Sequence, residues 1–165
     1  MILIALGSNL PFCGLSPADI ITSALRALEN FSTVGRRSQL YESPAWPDPA
    51  DPPFVNAVAC LESGLGPEAL LAALHGVEAG FGRRRPAPNA PRTLDLDLLD
   101  YRGLSRPVGG TGDVVLPHPR LASRDFVLRP LAEVAPGWRH PLSGDAVETL
   151  LTRLGQTAAR PLPAR

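Results

Sequence analysis

Leucine and aspartate alternate strictly from Leu94 to Leu98, within the run Pro91-Arg92-Thr93-Leu94-Asp95-Leu96-Asp97-Leu98-Leu99. A period of two is the pattern of a half-buried strand. It sets Asp95 and Asp97 on one face and Leu94, Leu96 and Leu98 on the other. Two neighbouring carboxylates on one face repel each other, and desolvation beside a core sharpens the repulsion. Cations relieve it, and hard oxygen ligands from one strand suit Mg²⁺. Arg92 lies just upstream, so the segment offers metal ligands together with a phosphate-binding charge. A solvated face of an antiparallel sheet alternates in the same way, and the pattern alone leaves that alternative open.

The remaining composition narrows the field. At 165 residues and 44% hydrophobic, the chain has the length of one domain and enough apolar residues for a full core. Its 16 basic and 16 acidic residues cancel, which argues against nucleic acid or a membrane surface as a partner. Every basic residue is arginine. A phosphate loop of the Gly-Lys-Ser/Thr type is therefore excluded, and any phosphate clamp must be built from arginine forks, with histidine. Cys13 and Cys60 are far apart without metal-ligand spacing, as expected of reduced thiols in the cytoplasm. Met1 to Leu6 is apolar but too short, and wrongly flanked, for a leader.

Taken in order, Ile2 to Leu6 predicts a central strand, and Ser16-Pro17 with Asp19 predicts a capped helix carrying Ile21, Leu25 and Leu28. Thr33 to Ser43 predicts a further strand. Pro44 to Pro53 holds five prolines and must be a stiff loop. Phe54 to Glu62 alternates again, with Phe54, Asn56, Val58 and Cys60 on one face. Gly66-Pro67 opens a second helix with Leu70, Leu74, Val77 and Phe81 as its stripe; His75 and Glu78 near its end can face one way. A basic, proline-rich loop follows, bringing Arg83, Arg84, Arg85 and Arg92 beside the acidic strand. Beyond it, Asp113 to Leu116 predicts a short strand and Pro117-His118-Pro119 a turn. A helical turn is predicted from Pro130 to about Ala135, a last helix over Val147 to Leu154, and a frayed tail from 157 to 165.

Strand, helix, strand, strand, helix, strand is the order of a ferredoxin-like α+β sandwich, βαββαβ. That fold predicts a single domain over 1–165 with a mostly antiparallel sheet, both helices on one face and a small C-terminal appendage. Asp95, Asp97, Phe54 and Asn56 then share the opposite face. An acid pair, arginines and a histidine fit a nucleoside triphosphate held through Mg²⁺, because phosphoryl-type transfer needs charge neutralisation and in-line positioning. Each element also has a plain reading: phenylalanines are usually core, and an arginine run suits a helix end.

The motifs carry a resemblance. Ala5-Leu6-Gly7-Ser8-Asn9-Leu10, Tyr41-Glu42-Ser43-Pro44, Phe54-Val55-Asn56-Ala57, Glu78 through Arg83, Pro91-Arg92-Thr93-Leu94-Asp95-Leu96-Asp97, and Pro117-His118-Pro119 through Phe126 run in the order of the 6-hydroxymethyl-7,8-dihydropterin pyrophosphokinase family. The resemblance implies transfer of the β,γ-pyrophosphoryl unit of ATP to the pterin hydroxymethyl oxygen, giving AMP, in folate biosynthesis. It implies two Mg²⁺ ions on Asp95 and Asp97, with Arg83 and Arg92 as catalytic arginines on a moving loop. Phe54 and Phe126 would sandwich the pterin, whose polar edge meets Asn56, Ser43 and the chain at Pro44 and Trp46. ATP would meet His75, Glu78, Arg85, Arg92, Leu98, His118 and Arg124. The implied enzyme is a cytoplasmic monomer acting on small molecules.

Departures from the family pattern are His75 in place of a frequent glutamine, Asn89 nearest a missing tryptophan, Asp113 in place of a basic residue, and Pro119 in place of a tyrosine. They bear on ATP contacts and loop closure. Two other functions share the chemistry: a two-metal nucleotidyltransferase, which needs a nucleic-acid track that the neutral charge disfavours, and a non-catalytic ferredoxin-like module, which would leave the acids without a ligand to neutralise.

Overall fold

A computed structural model describes residues 1–46, 48–84, 90–107, 114–155 and 157–163. Arg85, Asn89 and Asp113, singled out above, lie outside the described residues. The elements run β1 (Ile2–Ser8), α1 (Pro17–Leu28), β2 (Thr33–Arg37), β3 (Tyr41–Ser43), β4 (Phe54–Glu62), α2 (Pro67–Gly80), β5 (Asp95–Tyr101), a 3-10 turn (Leu121–Ser123), α3 (Asp125–Val134), α4 (Val147–Leu154) and β6 (Arg160–Pro161). The sheet order is β5-β1-β4-β3-β6, and β2 also pairs with β4. Every described pairing is antiparallel. The fold is ferredoxin-like α+β, with β2 and β3 as two pieces of one arm broken around Ser38.

Local chemistry explains the elements. Ser16 caps α1 in a reciprocal box with Asp19, and Pro17 opens the helix with its fixed φ. Gly82 ends α2 at φ +70, where a Cβ would meet the Phe12 ring at 2.3 Å, so only glycine fits there. Ile2, Ile4 and Leu6 of β1, Ala57, Ala59 and Leu61 of β4, and Leu94, Leu96 and Leu98 beside and within β5 pack under α1 and α2.

The two helices of the core, α1 and α2, lie on one face as expected, and α3 and α4 of the C-terminal appendage cover part of the other. Leu3, Val58 and Leu99 pack against Val127, Leu128, Leu131 and Val134 of α3 and Val147 and Leu150 of α4. The helix expected to begin at Pro130 begins at Asp125. Proline there forgoes only the bond to the Phe126 carbonyl, while the apolar stripe spans the full helix. The expected frayed tail is also partly ordered: β6 pairs with Tyr41 and Glu42, and Ala159 is 1% exposed. The described end of the strand expected from Asp113 to Leu116 forms only an isolated bridge, Leu116 to Arg106. Among the described residues no helix is long and apolar enough to cross a membrane.

Candidate active site

α3 and α4 cover only part of the second sheet face. The uncovered part lies toward the ends of β1, β4 and β5 that carry Gly7, Phe54, Asn56, Asp95 and Asp97. Register brings these together: Gly7 pairs with Asn56 across one edge of β1 and with Asp95 across the other. Ala5 pairs with Asp97. The amide and the nearer acid are thus two strand spacings apart, about 10 Å, over a floor that has no side chain at Gly7. A Cβ there would stand 3.5 Å from Asn56 Oδ1, 3.8 Å from Phe54 Cδ1 and 3.9 Å from Asp95 Cβ.

Around the acids the charges are paired. Arg83 Nη2 donates to Asp95 Oδ1 at 3.1 Å, and Arg92 Nη1 to Asp95 Oδ2 at 2.7 Å. Arg124 Nη1 donates to Asp97 Oδ2 at 3.4 Å, with His118 Nε2 at 3.7 Å from the same oxygen. The side chains of Asp95 and Asp97 remain 23% and 32% exposed, so both carboxylates are reachable. Two of the arginines also lie over aromatic rings. The Arg92 guanidinium is 5.5 Å from the Phe54 centroid, and that of Arg124 is 5.5 Å from the Phe126 centroid.

His118 is held by its backbone N–H to the Leu99 carbonyl at 2.8 Å. Its Nδ1 accepts from the Arg120 N–H at 3.2 Å, so the neutral ring carries its proton on Nε2, toward Asp97. Burial pushes its pKa below the ordinary value; Asp97 pulls it up, and Arg124 and Arg120 push it down. The Asn56 amide nitrogen donates to Ser43 Oγ at 2.9 Å, which fixes how the amide presents itself. Pro44 and Trp46 are exposed beyond it.

Not all expected residues converge. His75 faces solvent, whereas Glu78 is 2% exposed and accepts the Leu96 N–H at 2.8 Å. Through that bond Glu78 supports the outer edge of β5. Leu98 buries its side chain under the helices. Asp100, beyond a bulge in β5, is committed to the Trp138 indole at 2.7 Å and the Gly103 N–H at 2.8 Å.

One residue was missed. Asn9 is buried, accepts the Arg92 N–H at 2.7 Å, and donates to the Pro52 carbonyl at 2.9 Å. Its own N–H and that of Leu10 reach the Arg92 carbonyl at 3.0 and 3.1 Å. It fastens the arginine to the proline-rich loop. Gly-Ser-Asn after a strand signals a turn, and nothing in that pattern foretells which loops it joins.

Among the described residues no group of three or more His, Cys, Asp or Glu gathers as a metal cage. Two carboxylates on one strand fit Mg²⁺, which keeps water or phosphate oxygens on its other positions. They do not fit a structural zinc, which needs four protein ligands.

Known proteins resemble the chain over most of its length. The chain is 40% identical to a 2-amino-4-hydroxy-6-hydroxymethyldihydropteridine pyrophosphokinase of Synechocystis, over 78% of this chain and 64% of that one. It is 40% identical to the protein of that name from Pseudomonas aeruginosa, over 84% of this chain and 82% of that one. Against the folic acid synthesis protein fol1 of Pneumocystis carinii it is 32% identical, covering 96% of this chain but 21% of the relative. A solved HPPK-DHPS structure of Plasmodium falciparum superposes with a TM-score of 0.70 at 12% identity, over 92% of this chain and 44% of that one, and supports the fold alone. The chain thus spans less than two thirds of the Synechocystis relative and about a fifth of the fungal one. The model of the family 7,8-dihydro-6-hydroxymethylpterin-pyrophosphokinase matches residues 3–136, from β1 to just past the end of α3. The chain belongs to that family.

Proposed function

We propose that the protein transfers the β,γ-pyrophosphoryl group of ATP to the hydroxymethyl oxygen of 6-hydroxymethyl-7,8-dihydropterin. The oxygen attacks the β-phosphorus, its bond to the α,β-bridging oxygen breaks, AMP leaves, and the hydroxymethyl proton passes to solvent. The observation that carries this reading is Gly7, with Asn56 on one side of it in the sheet and Asp95 on the other. A ring read by the amide and stacked on Phe54 then points its hydroxymethyl arm toward the acids.

In this reading Asn56, oriented by Ser43, pairs with the amino-pyrimidinone edge, and the chain at Pro44 and Trp46 closes over it. Phe54 and Phe126 stack the ring from opposite faces. Asp95 and Asp97 would hold two Mg²⁺ ions, which when bound would neutralise the triphosphate and favour ionisation of the attacking hydroxyl. Arg83, Arg92 and Arg124 exchange carboxylate for phosphate, a substitution guanidinium forks make readily. His118 donates from Nε2 to a phosphate oxygen. The Leu98 backbone, two residues beyond the Leu96 N–H and so directed to the same edge, meets the adenine. Glu78 supports that edge from beneath. Arg83 and Arg92, drawn onto the phosphates, would help exclude water from the transfer.

The same reading makes the protein a cytoplasmic monomer that acts on small molecules and not on nucleic acid. A net charge of zero and two free cysteines support it. The test is to incubate the protein with ATP, Mg²⁺ and reduced hydroxymethylpterin. AMP and a pterin diphosphate in equal amounts are expected. ADP would mean γ-phosphoryl transfer, and absence of nucleotide turnover would overturn the reading.

A further inference from the structure

The family match ends at residue 136, yet the chain beyond it returns to residues that adjoin the site. Asp125 sits between two site residues, Arg124 and Phe126, at the start of α3. Its Oδ1 accepts the Phe126 N–H at 2.8 Å. Its Oδ2 accepts two N–H groups of the tail, Ala158 at 2.6 Å and Ala159 at 2.8 Å. One turn along α3, Arg129 Nε donates to Thr157 Oγ1 at 2.8 Å. A further turn along, Glu133 accepts from the Gln39 N–H at 2.9 Å and the Tyr41 hydroxyl at 3.2 Å. Residues 125, 129 and 133 share one helix face, and that face grips both the tail and the start of β3.

The tail then completes the connection. Arg160 and Pro161 pair with Glu42 and Tyr41, and the Leu162 N–H donates to the Leu40 carbonyl at 2.8 Å. The next residue of β3 is Ser43, which orients Asn56 and pairs with Phe54. A carboxylate accepting three backbone N–H groups is a strong fixture, since each bond is charge-assisted and directional. A carboxylate that only capped α3 would need no tail.

We propose that Asp125 is a positioning residue for the pterin. Through the β6 tail it locks the start of α3, with Phe126, to β3, with Ser43, and so sets the width of the slot between the two aromatic walls. The proposal rests on the pyrophosphokinase reading, and hydrogen exchange gives it a readout independent of turnover.

Three full-chain variants test it. Asp125→Ala removes all three bonds, Asp125→Asn keeps one acceptor oxygen, and Leu162→Pro cuts the tail from β3 without touching α3. With the wild type making AMP, Asp125→Ala is expected to raise the KM for the pterin about tenfold, the equivalent of one lost net hydrogen bond. The KM for ATP rises less than that for the pterin, because Arg124 is also held by Asp97, and kcat stays within about twofold, because Asp95 and Asp97 lie on β5. Asp125→Asn recovers part of the loss. Leu162→Pro reproduces it, and the double variant with Asp125→Ala is no worse than either single one, as expected of residues in one connection. Amide exchange quickens at residues 41–43 and at Phe126 as well as in the tail. If Asp125→Ala does not fold, Leu162→Pro decides alone. A pterin KM unchanged in the folded variants, or exchange quickened in the tail only, overturns the proposal. A wild type without AMP overturns the pyrophosphokinase reading instead, and exchange at 41–43 and Phe126 then decides this one.

Discussion

Arg92 holds Asp95 at 2.7 Å while its guanidinium lies 5.5 Å from the centre of the Phe54 ring. One side chain thus covers both a carboxylate that would hold a metal and a ring face that would hold a pterin. Both ligands would compete with it, and the phosphates would then offer it a new partner. Arg92→Ala is expected to lower kcat by about 10²–10³-fold, the range for loss of one donor that acts in the transition state. Its pterin affinity stays equal or tightens. Stopped-flow and equilibrium titration separate the two; a defect confined to pterin affinity would contradict the role given to the arginine.

Asp97 meets Arg124 and His118 through one oxygen, at partly exposed positions. Partly exposed pairs contribute little to stability, about 0–1 kcal/mol. Asp97→Ala should therefore melt within a few degrees of the wild type while losing at least about 10²-fold in turnover. Full activity in a folded Asp97→Ala protein would remove the metal assignment.

Gly7 gives a sharper test of the slot. Its φ lies outside the left-handed region, and an added methyl would find ordinary contacts at 3.5 Å and beyond. Gly7→Ala should leave stability unchanged or raise it by a few tenths of a kcal/mol, through the unfolded chain. The methyl would nonetheless stand on the floor between Asn56, Phe54 and Asp95. The KM for the pterin should rise about tenfold, the equivalent of roughly 1–2 kcal/mol of overpacking, with ATP binding unaffected. An unchanged pterin KM would place the ring elsewhere.

His118 makes stability depend on pH. Burial holds its folded pKa below the ordinary value of 6.5, while the unfolded chain takes up the proton near that value. The unfolded state therefore binds more protons as pH falls. Its contribution is full above about 6.5 and is lost as pH falls through the folded value. His118→Asn should flatten the loss of stability between about pH 7 and 5 in urea titrations. Identical slopes for the two proteins would contradict this.

The parts of the fold with a clear period were legible. Leu94 to Leu98 gave the parity of Asp95 and Asp97, Phe54 to Asn56 gave the facing wall, and Ser16-Pro17-Asp19 gave the start of α1. Errors arose where one residue type has two meanings. Pro130 looked like a helix start and lies inside α3, because the packing of Val127 and Leu128 outweighs one lost bond. His75 and Glu78 lie about 60° apart around a helix, enough to put one in water and the other in the core. β6 has two residues and no period to detect. Asn9 and Asp125 act through backbone groups far away in sequence, and no local pattern encodes such partners.

Transfer from ATP labelled at its β-phosphorus tests the central claim most directly. The account predicts that the label leaves with the pterin, that unlabelled AMP accumulates at the same rate, and that Asp97→Ala abolishes both. Label retained on a nucleotide diphosphate would contradict it.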